Sequence, residues 1–314
     1  MARLRVVRPG LQTTVQDLGR YGFAHFGISA SGAADPVSFR LGNRLAGNPE
    51  GSPALEMTLV GGEFEFEEPA VVAAAGADFA ATMDRSPFPP WTSVQVEKGQ
   101  TLCFSACRRG ARGYLCIRGG LRIPPVLGSA STHLFSAMGG YQGRALKKGD
   151  LLEYAPVRTG APPQPARPPE SMIFGGNPVR LRVTAGPQLD FFPPEARALF
   201  SASLYQVSEE FSRMGLRLGG PAVTARERSE MVTEGVSLGA VQIAGNGRPI
   251  LLFVEHQTTG GYPKIANVIS ADLHRIGQLR PGDQVRFEFA TLEDAWSLLQ
   301  EQEALLRSLG QEDA

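Results

Sequence analysis

The chain has 314 residues, 31 basic and 31 acidic side chains, and 37 glycines and 24 prolines. That length suits two domains of roughly 100–200 residues, each able to bury its own core. A net charge of zero gives no general attraction to phosphate backbones or anionic lipid, so nucleic acid and membrane surfaces are disfavoured as partners and a small molecule is favoured.

Glycine and proline together make up about a fifth of the chain, against roughly 12 % in an average protein, which predicts many tight turns. The amino-terminal residues MARLRVVRPG lack an apolar core segment, and no stretch approaches the ~20 apolar residues of a transmembrane helix. The expected location is cytoplasmic. In chain order, a helix is expected over Asp35 to Leu45, where Asp-Pro suits the N-cap and first helical positions. Short strands follow at Glu63 to Phe66, Val71 to Ala75, Ser93 to Val96 and Tyr114 to Ile117.

Cys103, Cys107 and Cys116 are an odd number confined to one half, which argues against a disulfide framework. Neighbouring zinc ligands are missing, and Cys103 and Cys116 sit in apolar strand-like runs that predict buried thiols. Arginine outnumbers lysine 27 to 4. That excess fits either anion binding by guanidinium forks or a bias in codon composition.

Residues 156–178 carry seven prolines without apolar periodicity and read as an extended spacer. The expected organisation is therefore a domain over 1–155, a linker over 156–178 and a second domain over 179–314. Further strands are expected at Leu181 to Thr184, Ile250 to Val254 and Val285 to Phe289, with a short helix from Glu195 to Phe200. Short strands between Gly, Pro and Asp turns indicate a sheet curled into a barrel or sandwich. Each half closes alike, with Gly149-Asp150 and Gly282-Asp283 each preceding an alternating strand, and Gly99 opens a looser third copy. A final helix begins where Thr291 caps and Asp294 answers three residues later. Its apolar stripe of Leu292, Ala295, Trp296, Leu299 and Leu306 reads as core or interface, and Gly310 can stop it.

No GxxxxGK[ST], HExxH or CxxC pattern occurs, and there is no Met-Lys-Met segment to carry biotin. Three segments are dense in groups that recognise small polar molecules. Gly10 to Asp35 includes Arg20 and Ser31 among hydroxyls, amides and glycines. It reads either as a ligand loop or as a Gly-rich loop whose polar groups cap one another. In the second, Gln188 and Asp190 precede Arg213 and Arg217. Asp190 can serve as a base or pair with Arg213, or the arginines can simply lie on a solvated strand face. The third, Glu255-His256-Gln257-Thr258-Thr259-Gly260-Gly261-Tyr262-Pro263-Lys264, follows the apolar run ILLFV. A polar cluster at the end of a buried strand is where a rigid scaffold presents ligand contacts, so this segment is the favoured site.

With these segments in this order, the chain resembles the family known as allophanate hydrolase subunit 2-like or Kip-antagonist-like, which includes a subunit of the bacterial 5-oxoprolinase. The stretches GLQTTVQDLGRYGFAHFGISASGAADPVSFRLGNRLAGN, GSASTHLFSAMGGYQGRALKKGD and VEHQTTGGYPKIANVISADL carry the resemblance, which extends from Val6 to Phe287. It implies a mainly β fold of two tandem cyclophilin-like β-barrel domains with a few short helices and a C-terminal helix. It also implies a subunit-1-like, Kip-inhibitor-type partner and a lactam-utilisation subunit. Together they would convert 5-oxo-L-proline to L-glutamate while hydrolysing ATP. The alternatives are a carboxyltransferase component like that of urea carboxylase, or a non-catalytic regulator of the partner.

On that resemblance, Gln257, Thr258, Thr259 and Tyr262, with the backbone N–H groups of Gly260 and Gly261, are expected to orient the lactam or its phosphorylated form. Gln188, Arg20 and Ser31 are expected to add substrate contacts. Lys264 and Arg213 would balance phosphate or carboxylate charge, and Asp190 would be the base. ATP is expected to be consumed by the complex, and no metal is expected in this chain. One departure stands out: where the family commonly has Asp-Arg before the QTTGGY run, this chain has Glu255-His256, so a guanidinium is replaced by an imidazole.

Overall fold

The structure is a computed structural model that describes residues 2–155, 168, 173–174, 176–226 and 231–309. The chain divides into two compact units, one of residues 1–20, 31–169 and 306–314, the other of residues 21–30 and 170–305. Most of the proline-rich segment 156–178, and Gly310, lie outside the described residues.

In the first unit the strands are β1 (Ala2–Arg8), β2 (Gln12–Gln16), β3 (Ala54–Thr58), β4 (Glu63–Phe66), β5 (Ala70–Asp78), β6 (Thr82–Met83), β7 (Ser86–Pro87), β8 (Ser93–Val96), β9 (Thr101–Cys103), β10 (Arg109–Ile117) and β11 (Leu151–Tyr154). They form two sheets, ordered β11-β1-β4-β9-β6-β7 and β2-β3-β10-β5-β8. Alternating apolar residues from both sheets, among them Leu4, Phe64 and Leu102 from one and Val15, Met57 and Leu115 from the other, share a single core. Of the barrel and sandwich forms compatible with short strands and tight turns, this unit takes two facing sheets.

Helix α1 (Pro36–Ala46) starts where the Asp35 carboxylate accepts from the Ser38 N–H at 2.9 Å, and it ends at Gly47 with φ +79°. Gly42 lets the helix lie close on the sheet, because a Cβ there would stand 2.9 Å from Ala75 Cβ and 3.0 Å from Cys116 Sγ. Cys116 is fully buried, and burial pushes its thiol above the ordinary range. Cys103 departs from the expected burial: β9 lies between β4 and β6, and this thiol is only half-buried, accepting from the Arg8 guanidinium at 3.4 Å.

The repeated turn is one structure used three times. In Lys147-Lys148-Gly149-Asp150 and Arg280-Pro281-Gly282-Asp283, the fourth residue's N–H reaches the first residue's carbonyl while its carboxylate accepts from the first residue's N–H. Glu97-Lys98-Gly99-Gln100 makes the same pair of contacts with the Gln100 amide in place of the carboxylate. The third position is glycine each time because φ is +91°, +90° and +81°.

The second unit contains β12 (Val179–Ala185), β13 (Tyr205–Phe211), β14 (Gly215–Gly219), β15 (Glu234–Gly235), β16 (Ala240–Ile243), β17 (Pro249–Leu252), β18 (Thr259–Gly260), β19 (Lys264–Val268) and β20 (Gln284–Phe289). Seven of these close a barrel in the order β12-β19-β16-β17-β14-β13-β20, with β12 and β20 joined in parallel. Helix α2 (Pro194–Ala202) buries Phe200, whose ring stacks on Phe287 at 4.6 Å. Helix α3 (Leu273–Ile276) is a single turn. The strand expected through Val254 stops at Leu252, because Phe253 to His256 turn back, with the His256 N–H donating to the Phe253 carbonyl at 3.0 Å.

Helix α4 (Leu292–Ser308) opens on a capping box: Thr291 Oγ1 accepts from the Asp294 N–H at 3.0 Å, and the Asp294 carboxylate accepts from Thr291. The fold is thus mainly β with a few helices, the last of them C-terminal, as expected. Along the apolar stripe of α4, Leu292 and Trp296 are exposed and Leu306 is buried, so the stripe is only partly core. Thr291→Ala is expected to lower stability by about 1 kcal/mol, read as a shift in the urea unfolding midpoint. No described helix is long and apolar enough to cross a membrane.

Candidate functional site

The favoured segment begins as β17 leaves the barrel and ends as β19 re-enters it. Between them Thr259 and Gly260 form β18, which pairs with Glu234 and Gly235 of β15 in a two-stranded ribbon. Lys264 is the first residue of β19, and its side chain is buried to all but 5 %. Its ammonium is paired with the Glu234 carboxylate, whose Oε1 also accepts from Gln188 Nε2 at 2.6 Å.

Gln188 is set in place by the backbone of Lys264. The Lys264 N–H donates to Gln188 Oε1 at 3.1 Å, and the Gln188 N–H donates to the Lys264 carbonyl at 3.3 Å. With Oε1 committed to an N–H donor, the Gln188 amide can only present its NH₂ to Glu234. Gly186 permits this crossing: a Cβ there would stand 2.2 Å from the Lys264 carbonyl oxygen. Gly186→Ala is therefore expected to push β12 off β19 and cost roughly 1–3 kcal/mol, measured by urea denaturation.

A second pair of amides lies beside this group. Gln257 Nε2 donates to Gln242 Oε1 at 3.3 Å, and Gln242 Nε2 donates to the Tyr262 carbonyl at 3.4 Å. Gln242 is buried, whereas Gln257, Thr259 and Gly261 are exposed, and the Tyr262 ring is half-exposed. Gly260 lies against the Gln242 amide, with room for no more than a hydrogen on that side. Thr258 contributes its carbonyl to the Val236 N–H at 3.0 Å, which holds the ribbon closed at that end.

Arg213 and Asp190 are not partners. Arg213 Nε meets the Glu255 carboxylate, both side chains are 2 % exposed, and the Glu255 N–H donates to the Arg213 carbonyl at 2.8 Å. The Arg213 charge is thus balanced inside the protein, by the carboxylate that precedes His256 in sequence. Asp190 lies on a 3-10 turn (Leu189–Phe191), with its carboxylate 95 % exposed and bonded to Arg197 at 3.0 Å. The carboxylate beside Lys264 is Glu234, so geometry gives the base role read for Asp190 no support. Burial pushes the His256 imidazole below its ordinary range, against the opposing pull of the Gln257 carbonyl at 2.6 Å. The ring is neutral at pH 7 and does not replace a guanidinium charge.

Arg20 and Ser31 belong to the first unit, whereas the residues above belong to the second. Arg20 is buried and donates to the carbonyls of Val126 and Ser131, while the Ser31 hydroxyl donates to the Thr132 carbonyl at 2.7 Å. Asp17 ties the same loops together, accepting from the N–H groups of Gly19 and Ala130 and from the hydroxyls of Ser129 and Ser131. In this part of the Gly-rich segment the polar groups cap one another. The first unit also holds a cavity of about 700 Å³, with Arg122, Val126, Met138, Tyr141 and Leu151 among its walls, but neither Arg20 nor Ser31 lines it. Among the described residues no group of three His, Cys, Asp or Glu side chains is placed to hold a metal ion.

Sequence reasoning missed Glu234 and Gln242. Gln242 carried a signal, as a lone amide in the apolar run Ala240 to Ile243, all of it buried. Glu234 carried none that pointed to Lys264, although the GxSxG run Gly235-Val236-Ser237-Leu238-Gly239 follows it directly.

A closed barrel that carries a cluster of amides and one buried lysine, in the same chain as a two-sheet β unit, defines a class of mainly β proteins. Residues 26–289 match the carboxyltransferase domain, subdomain A and B, and the chain belongs to that family. It is 37 % identical to a 5-oxoprolinase subunit of Escherichia coli over 98 % of this chain and 97 % of that protein. It is 34 % identical to the urea amidolyase of Saccharomyces cerevisiae over 98 % of this chain, but spans only 18 % of that enzyme's length. Among solved structures, the urea amidolyase of Kluyveromyces lactis superposes with a TM-score of 0.90 at 32 % identity, covering 98 % of this chain and 20 % of that one.

Proposed function

We propose that the protein is a subunit of an ATP-dependent 5-oxoprolinase, in which 5-oxo-L-proline is opened to L-glutamate as ATP is hydrolysed to ADP and phosphate. The observation that carries this reading is the end-to-end similarity to a protein named as a 5-oxoprolinase subunit, where the similarity to urea amidolyase covers less than a fifth of that enzyme. Its working partners are a subunit-1-like protein and a lactam-utilisation subunit.

The lactam resists water because amide resonance protects its carbonyl. Phosphoryl transfer from ATP to the lactam oxygen removes that protection. Water then adds to the carbon, the C–N bond breaks with a proton going to nitrogen, and a second water releases phosphate. The contribution of this chain is to bind and orient. The amides of Gln257 and Gln242 offer both donors and acceptors, which match the N–H and C=O edges of a cis amide, and the Lys264 ammonium supplies the positive charge.

The test is reconstitution of the three subunits with and without this chain, following ATP hydrolysis and glutamate release together. Both are expected to depend on 5-oxoproline and on this chain. ATP hydrolysis indifferent to the lactam would overturn the reading, and glutamate formed undiminished without this chain would leave it only a regulatory role.

A further inference from the structure

We propose that Lys264 Nζ and Gln188 Nε2 form a carboxylate-binding site that the protein's own Glu234 fills until a ligand carboxylate displaces it. Taking that ligand to be 5-oxo-L-proline, whose ring bears a carboxylate, rests on the function proposed above.

Three observations favour a displaceable stand-in over a fixed structural partner. The pair is uneven: the Lys264 side chain is 5 % exposed and that of Glu234 is 42 % exposed, so the cation belongs to the barrel wall and the anion comes from outside it. The cradle also keeps its shape without Glu234. The backbone of Lys264 fixes Gln188 Oε1, so ammonium and amide donors converge on one point whichever carboxylate occupies it. Finally, Glu234 lies on the two-residue ribbon outside the barrel, and such short ribbons are weak on their own, so moving it disturbs little else.

Exchange of one carboxylate for another leaves the buried ammonium paired throughout, which avoids stranding a charge in a low-dielectric site. The Lys264 hydrogen bond holds the Glu234 carboxyl below the usual range, so the internal anion is present at pH 7. It therefore competes with every incoming anion. Apparent affinity is reduced by the fraction of molecules in which the site is open, so an open fraction of about one in ten costs about tenfold in Kd.

The experiment titrates acetate, 5-oxo-L-proline and the primary amide of 5-oxoproline into the full chain by NMR, comparing wild type with Glu234→Gln, Glu234→Asp and Lys264→Met. Circular dichroism confirms the fold of each. In Glu234→Gln, acetate and 5-oxoproline are expected to bind about tenfold tighter while the amide is unchanged. Glu234→Asp, with its carboxylate drawn back by one methylene, is expected to gain less in the same direction, and it decides the matter if the glutamine variant misfolds. Lys264→Met is expected to lose the preference for acid over amide. Acetate binding no tighter in the Glu234 variants would overturn the proposal. Tighter acetate without tighter 5-oxoproline would leave the anion site standing and remove the lactam reading.

Discussion

Arg213→Ala is expected to destabilise the protein by about 3–5 kcal/mol, the range for removing one member of a buried ion pair. Both side chains of the Arg213–Glu255 pair are 2 % exposed, so alanine leaves the Glu255 carboxylate out of reach of bulk water and without its cation. Domain stabilities of about 5–15 kcal/mol make this a large share of what holds the unit together. Urea denaturation followed by circular dichroism would show the midpoint falling, and Glu255→Ala is expected to do the same for the opposite charge. The double variant Arg213→Met/Glu255→Leu removes both charges and keeps volume, so it is expected to be more stable than either single alanine variant. An Arg213→Ala protein as stable as wild type would show that the pair contributes little. Because this guanidinium is already matched by an internal carboxylate, the structure moves Arg213 from direct substrate contact to support of the turn that launches the Gln257 segment.

Lys264→Met is expected to lower lactam-dependent glutamate formation by the reconstituted complex by on the order of 10²–10³-fold, the usual cost of removing one preorganised charge-stabilising group. Methionine fits the buried stem of the lysine but carries no charge, so packing is largely kept. The fall should therefore appear in kcat/KM for the lactam with little change in thermal unfolding. Lys264→Arg keeps the charge on a bulkier planar group and is expected to restore only part of the rate. Full activity in Lys264→Met would remove the lysine from the reaction. The substitution is the more informative because Lys264 is one of only four lysines in the chain.

Local chemistry was legible where neighbouring residues decide it. Asp35-Pro36 announced α1, Thr291 with Asp294 announced α4, and the Gly-Asp turns ahead of β11 and β20 followed from residues within four positions of one another. The Gln257 to Lys264 segment stood out because polar and glycine residues follow a buried strand. The partners of that segment were not legible. Gln188 and Glu234 are 46 residues apart, Lys264 and Glu234 are 30 apart, and Arg213 and Glu255 are 42 apart. Asp190, read as the base, is held instead by Arg197, one helical turn into α2.

Composition, periodicity and turn residues by themselves determined a mainly β chain of short strands and few helices, and singled out one polar segment for ligand contact, since backbone preference and burial are written in adjacent side chains. The pairing of charges was decided only by the tertiary structure. Closure of the barrel sets β12 against β19 and brings Gln188 onto Lys264, while the pairing of β15 with β18 brings Glu234 there, because an ion pair depends on distance across strands that the linear order of residues does not specify.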